Sequence, residues 1–315
     1  MTMNTQSTGI HHISSMVQDP QRTLDFYGQV LGLRFVKQTV NFDDPGTYHL
    51  YFGDEVGTPG TVITFFPIPG LGKGQVGSGQ VGVTTYLVPA GSLPFWEERL
   101  QQHGIATVAM ERFEEPSLLF EDPDGLVVEL VARPTTKQTR WVIPGVTKDE
   151  AIVGFAGATL LSKAPDETVR LLTELFGFER VGEDEEWVRL KGTADYGNVI
   201  DVKKTILPNG VPGTGTVHHI AWRVADGEHY PTWQDAIFDL GLRPTEVKER
   251  NYFRSVYFHD AGRILHELAT DVPGFTVDES IDTLGETLRL PPWLEADRDK
   301  IVRTLPIIAI PKGER

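Results

Sequence analysis

Four glycines at equivalent places in a repeated pattern constrain this chain more than any other feature, because self-similarity at a fixed period dictates architecture before single elements are assigned. The pattern is Gly, an apolar residue, two further residues and, in three copies, Val. It reads Gly32-Leu33-Arg34-Phe35-Val36, Gly104-Ile105-Ala106-Thr107-Val108, Gly177-Phe178-Glu179-Arg180-Val181 and, more loosely, Gly241-Leu242-Arg243-Pro244. Each glycine follows an amphipathic stretch and suits the left-handed position just past a helix C-terminus, where a side chain would be strained. Upstream of each lies an apolar strand, starting at His12, Val83, Gly157 and His219. Between strand and glycine comes a helix start signal: Asp19-Pro20, Ser92-Leu93-Pro94, Pro165-Asp166, and the stretch from Asp226 to Pro231. After each glycine follow short alternating segments such as Tyr48-His49-Leu50-Tyr51-Phe52 and Ser255-Val256-Tyr257-Phe258.

Every unit therefore reads β-α-β-β-β, and the chain is expected to be an α+β protein of four such modules at 8–68, 78–133, 151–206 and 215–271. In larger units this gives an N-terminal half, 1–145, a C-terminal half, 146–271, and a tail, 272–315, too apolar around Leu288-Arg289-Leu290-Pro291-Pro292-Trp293 to be loose. The tail is expected to pack on the modules, over a cup mouth or in a subunit contact. The run Gly70-Leu71-Gly72-Lys73-Gly74-Gln75-Val76-Gly77-Ser78-Gly79 lacks the spacing of a phosphate-binding loop and reads as a flexible linker.

Composition narrows the chemistry. The 315 residues include no cysteine, so a disulfide framework, a thiolate metal site and a cysteine nucleophile are all excluded, and any metal must be held by His, Asp or Glu. The net charge of −15 repels polyanions and argues against nucleic acid as a partner. No apolar run approaches the ~18 residues of a membrane helix, and MTMNTQSTG lacks the pattern of a signal peptide, so a cytoplasmic protein is expected.

Two of the four strand starts carry His-His: Ile10-His11-His12-Ile13 and Val217-His218-His219-Ile220. Neighbouring strand residues face opposite ways, so one His of each pair can enter a shared cup. Register favours His12 and His219, leaving His11 and His218 on the other side or behind the ligands. The last strands align Glu129 with Glu267, since Phe120 to Glu129 and Phe258 to Glu267 share one spacing and both continue with Leu. In modules one and three the same position falls on Thr64 and Asp201. If modules one and four close one cup, its inward positions are His12, Thr64, His219 and Glu267. Two imidazoles and one carboxylate, with other positions open, form the facial set used for non-haem Fe(II) and, less selectively, Mn(II). The other cup offers Val83, Glu129, Gly157 and Asp201, with no imidazole, so Glu129 reads as structural. His49, His103, His229, His259 and His266 have no repeat support, and His266 is expected to face away from Glu267.

These residues resemble the vicinal oxygen chelate superfamily (the glyoxalase/bleomycin resistance/dioxygenase fold), and within it the ring-cleaving dioxygenases of the hydroquinone 1,2-dioxygenase type. The resemblance covers nearly the whole chain. It rests on Ile10-His11-His12-Ile13, the run from Phe26-Tyr27 to Asn41, Pro59-Gly60-Thr61 to Pro67, Val217-His218-His219-Ile220-Ala221, Arg250-Asn251-Tyr252-Phe253-Arg254-Ser255-Val256-Tyr257-Phe258, and Glu267-Leu268-Ala269-Thr270-Asp271. It implies two cup-shaped half-barrels, His12, His219 and Glu267 as iron ligands, and His11, Arg250 and Tyr257 as groups behind the ligands or facing substrate. His266 stands where members often carry Phe. In an apolar cup Arg250 would stabilise developing negative charge and Tyr257 would hold or relay a proton. A single strand from 250 to 257 would set these two on opposite faces unless a bulge intervenes.

The implied activity is oxygen-dependent cleavage of a hydroquinone, whose para hydroxyls allow only one oxygen to reach the metal. Its partners are a small aromatic substrate and O2, with a homo-oligomer expected. Three rivals remain open: a catechol extradiol dioxygenase, whose ligands usually all lie in the C-terminal half; a glyoxalase I-like lyase, which needs a fourth ligand where Thr64 stands; and a metal-free aromatic-binding protein. Whether the ligand set closes within one chain or across two also stays open.

Overall fold

The protein is described by a computed structural model covering residues 6–225 and 227–310, so Asp226, the first residue of the fourth helix start signal, lies outside the described residues, while Pro231 stands in the first turn of the helix that follows. The four repeat glycines all take left-handed φ values, 77° at Gly32, 74° at Gly104, 75° at Gly177 and 77° at Gly241, and each ends the helical segment of its module.

Module one runs β1 (Ile10–Val17), α1 (Pro20–Leu24), a π turn (Asp25–Val30), β2 (Arg34–Asn41), β3 (Asp44–Gly53) and β4 (Val62–Pro67). Module two supplies β5 (Gln80–Pro89), α2 (Leu93–Gln102), β6 (Val108–Arg112), β7 (Glu115–Glu121) and β8 (Val127–Arg133). Module three follows with β9 (Gly154–Leu161), α3 (Pro165–Arg170), a π turn (Leu171–Leu175), β10 (Glu179–Glu183), β11 (Trp187–Lys191) and β12 (Val199–Lys203). Module four gives β13 (Thr216–Val224), α4 (Tyr230–Asp239), β14 (Lys248–Glu249), β15 (Arg254–His259) and β16 (Leu265–Thr270), and the tail carries α5 (Arg298–Thr304). The expected order β-α-β-β-β holds in every module. Asp19 caps α1 as its sequence suggested, its side chain accepting from Arg22 N at 2.9 Å with Pro20 in the first turn.

The strands form two eight-stranded sheets, ordered β14-β15-β16-β13-β1-β4-β3-β2 and β10-β11-β12-β9-β5-β8-β7-β6. Antiparallel pairing of β1 with β13 joins modules one and four, and that of β5 with β9 joins modules two and three. Each half of the chain thus gives one module to each sheet. One apolar core joins both sheets to the helices through Ile13, Leu24, Trp96, Phe155, Leu172, Ile237 and Leu268. On the other face of the first sheet, Ala221, Ala269, Tyr51 and Val62 pack with Tyr252, Phe253 and the tail residues Phe275 and Leu284 in a smaller cluster.

The tail lies along module one. Leu288 bridges to Gln38, Arg289 N donates to Gln38 O at 2.9 Å, and Tyr48 Oη donates to Pro306 O at 3.0 Å. Lys37, fully buried, is gripped by Asp278 at 2.6 Å and by Glu279. The segment 70–79 is not the flexible linker expected from its glycines. It runs beside the module three to four connection, with Gly74 N donating to Thr214 O, Gln75 paired with Val211 and Ser78 N donating to Pro208 O. Glycine is needed for close approach there: a Cβ at Gly77 would sit 2.4 Å from Pro208 O. No helix among the described residues is long and apolar enough to cross a membrane.

Candidate metal centre

Strand pairing places the repeat-equivalent positions together. β1 and β13 run side by side at the middle of the first sheet, and β16 lies parallel to β13 with Ala221 opposite Glu267. His12, His219 and Glu267 consequently converge within a single chain, all buried, with one ligand atom of each within 4.8 Å of the others. The two Nε2 atoms lie 3.2 Å apart, and Glu267 Oε2 lies 2.8 Å from that of His219 and 3.3 Å from that of His12.

The alternation rule fails at both histidine pairs, and the reason is local. The β1–β13 register slips between Ile10 and His12, leaving His11 as the extra residue of a bulge in β1, and again between Ser14 and Ser15, leaving His218 as the extra residue in β13. A bulge re-aims a side chain without ending the strand. Both members of each pair therefore approach each other: His11 Nδ1 lies 2.9 Å from His12 Nδ1, and His218 Nδ1 lies 2.8 Å from His219 Nδ1. The second sheet bulges at the matching places, where Gly82 and Ala156 are the extra residues. His11 is buried behind His12, whereas His218 lines the cavity.

This donor set fits a divalent cation. Each imidazole has its Nδ1 engaged by a neighbouring histidine, which holds the ring and directs Nε2 to the centre; ligation uses the tautomer in which this Nδ1–H donates to that neighbour. Burial depresses the His219 pKa despite the opposing pull of Glu267, favouring the neutral ring that a ligand requires. Glu267 Oε1 accepts from Ser255 Oγ, while the fully buried Oε2 meets only the two imidazole Nε2 atoms among the described residues. A buried carboxylate oxygen in that condition is costly unless a cation meets it. Burial alone would raise the Glu267 pKa, but His12 and His219 hold it well below the usual carboxylate range.

A cavity of about 430 Å³ opens over the centre, within the range of ~300–1,000 Å³ common for small-molecule sites. Its walls include Phe66, Phe253 and Leu265, and Phe253 packs against the His12 ring at 5.0 Å. Arg250 and Tyr257 both reach it. The chain between them is not one strand: β14 ends at Glu249, and residues 250–253 form a turn closed by Arg250 N donating to Phe253 O, with Asn251 at φ 63°. The turn places the two side chains together, Arg250 Nε donating to Tyr257 Oη at 3.3 Å, and Arg250 also meets Asp43 across the mouth at 2.8 Å. Burial pushes the Tyr257 phenol well above its ordinary pKa, so it is protonated at neutral pH.

Thr64 occupies the position equivalent to Glu267 but is turned to hydrogen bonds with Ser14 Oγ at 2.7 Å and His49 Nε2 at 2.8 Å. His49, which had no repeat support, lines the cavity beside Tyr51. A signal for this pair existed, since Leu50-Tyr51-Phe52 repeats Val256-Tyr257-Phe258. His266 faces away from the centre, accepting from Trp222 Nε1 at 2.9 Å.

The second cup is filled by ion pairs. Arg112 and Arg189 each lie 2.7 Å from Asp201, Arg133 pairs with Glu115, and Glu129 accepts from Thr85 and Ser117 at 2.8 Å, leaving a void of about 20 Å³. Glu129 and Ser117 reproduce the Glu267–Ser255 arrangement without histidines, as a structural site would. A larger groove of about 720 Å³ beside Arg22 and His103 holds no converging ligand set among the described residues.

Comparison with known proteins bears on the fold and the family. Residues 9–130 match the family described as the Glyoxalase/Bleomycin resistance protein/Dioxygenase superfamily. The chain is 52% identical over 303 residues to MhqO of Bacillus subtilis (strain 168), named as a candidate ring-cleaving dioxygenase, covering 96% of this chain and 97% of that protein. It is 34% identical over 309 residues to the chlorohydroquinone/hydroquinone 1,2-dioxygenase of Sphingobium indicum, covering 94% and 95%. A crystal structure of a Bacillus subtilis protein described as a candidate dioxygenase superposes with a TM-score of 0.95 at 50% identity, covering 98% and 99%. Maize glyoxalase I shares the fold, with a TM-score of 0.64 at 14% identity over 84% of this chain and 92% of that one.

Proposed function

Because the chain belongs to the glyoxalase/bleomycin resistance protein/dioxygenase superfamily, we propose that it is a ring-cleaving dioxygenase acting on hydroquinone-type, para-dihydroxy aromatic rings, with Fe(II) or Mn(II) held by His12, His219 and Glu267. The observation that carries the metal assignment is the convergence of Glu267 Oε2 with the Nε2 atoms of His12 and His219 in one buried site. A bound metal would supply Lewis acidity and an electron path between ring and O2.

The chain's own residues do the rest. His11 and His218 hold the rings of His12 and His219, and Ser255 holds Glu267 Oε1. Arg250, already paired with Tyr257, offers a guanidinium to a phenolate or to charge developing during oxygen insertion, and Tyr257 holds a proton beside it. Thr64, buried and committed to Ser14 and His49, favours this reading over a lyase that needs a fourth ligand.

The experiment is anaerobic loading with Fe(II) or Mn(II), followed by O2 uptake with hydroquinones and with catechols. Uptake with hydroquinones and a ring-opened product are expected. A metal-loaded protein that consumes no O2 with any dihydroxybenzene would overturn the activity, and preference for catechols would overturn the para assignment.

A further inference from the structure

The approximate twofold relation between modules one and four sets two tyrosines on either side of the centre. Tyr257 pairs with Glu267 across β15 and β16, and Tyr51 pairs with Thr64 across β3 and β4. Two residues before each tyrosine stands the side chain bonded to the following strand: Ser255 to Glu267 and His49 to Thr64. Where one half offers a carboxylate to the metal, the other continues into a hydrogen-bonded chain. Ser14 Oγ meets Thr64 Oγ1 at 2.7 Å, Thr64 Oγ1 meets His49 Nε2 at 2.8 Å, and His49 Nδ1 meets Tyr51 Oη at 2.8 Å. Tyr51 is 1% exposed and Ser14 fully buried, and the His49 ring is held between Tyr51 at 4.1 Å and Phe66 at 4.2 Å. The chain ends blind at Ser14 and reaches the cavity at Tyr51 and His49.

We propose that Tyr51 receives the substrate hydroxyl that the metal does not hold, and that His49 is the positioning residue that fixes the direction of the Tyr51 hydroxyl. The proposal rests on the para-dihydroxy reading above. A ring with oxygens at both ends needs a polar partner at each. The metal centre with Arg250 and Tyr257 serves one end, and the Tyr51–His49 pair is a buried polar group on the opposite, Thr64 side of the cavity, beside Phe66. Burial keeps His49 neutral and Tyr51 protonated near pH 7. The neutral ring has one donor and one acceptor nitrogen, so its tautomer decides whether Tyr51 donates to His49 or is left free to donate to substrate.

The test compares binding of hydroquinone with that of phenol, which lacks the second oxygen, by calorimetry on anaerobic metal-loaded protein. Tyr51→Phe is expected to weaken hydroquinone about five- to tenfold, the worth of one hydrogen bond, and phenol less than about twofold. His49→Ala is expected to do the same, and His49→Asn, whose amide can replace Nδ1, to recover most of the loss. In steady state the change appears in KM more than in kcat. Equal weakening of both ligands, or no weakening of either, overturns the proposal, as does wild-type protein that binds hydroquinone no tighter than phenol. Failure of the activity reading is separate, since it shows as absent O2 uptake in wild-type protein whatever the binding ratio.

Discussion

His11 and His218 stand in equivalent places in the two central strands, each the extra residue of a bulge and each holding the Nδ1 of the histidine that follows it, at 2.9 Å and 2.8 Å. On the proposed metal site, the doubled histidine is a ligand and its support, produced twice. Replacing His11 by Phe keeps the ring packing against Phe253 and removes the nitrogen. Metal affinity is expected to fall about 10- to 100-fold, read by competition with a chelator. Unchanged affinity would show that His11 is only filler.

The Arg250–Tyr257 contact predicts a loss confined to chemistry. Tyr257→Phe preserves the ring beside His219, at 5.7 Å, and removes the hydroxyl that Arg250 meets. A fall in kcat of about 100-fold with KM little changed is expected. A change in KM alone would make Tyr257 a binding group.

The second cup predicts stability without activity. Arg189 bonds Asp201 through two nitrogens, and both side chains are nearly buried, so Arg189→Met leaves a carboxylate undercompensated. About 3 kcal/mol of unfolding free energy is expected to be lost. Metal content and O2 uptake are expected to stay at wild-type levels, and loss of metal would link the cups in a way the ion pairs do not.

Lys37 predicts the part played by the tail. Its ammonium is fully buried between Asp278 and Glu279, and Tyr252, within the Arg250 turn, donates to Asp278 at 3.1 Å. Lys37→Met is expected to cost about 3–5 kcal/mol, because Asp278 loses its cation and the buried Glu279 keeps only Arg289 at 3.2 Å. Limited proteolysis would then cut first within 272–290, and a protected tail would count against this anchoring.

The buried histidines set a pH dependence. Burial first, then neighbouring His12, holds His11 and His49 well below 6.5, so below that pH the unfolded chain binds more protons than the folded one. Stability of metal-free protein is therefore full above about pH 6.5 and falls as pH drops further. Denaturant midpoints measured across this range check the sign, and a midpoint that rises on acidification contradicts it.

Much of this was legible without coordinates. Four helix-ending glycines set the module count, and the pattern of His12, His219 and Glu267 at matching strand positions set the ligand candidates. Other features were legible only in part. Strand alternation could not reveal that bulges bring both members of each histidine pair together. The turn at 250–253 was hidden because Asn251 at positive φ leaves no strong mark in a run of aromatic and basic residues. His49 was passed over because its partner Thr64 is a hydroxyl, not a ligand.

The sequence by itself determined the repeated unit, the absence of thiolate chemistry and the two imidazoles and one carboxylate at repeat-equivalent places, because each of these follows from local backbone preference or residue type. The tertiary structure decided which modules share a sheet, that the three ligand atoms meet within one chain, and that Tyr51 joins Tyr257 at the centre. Those outcomes depend on pairing between strands about 200 residues apart, whose register is set by burial of one whole face against the core and not by any neighbour in the chain.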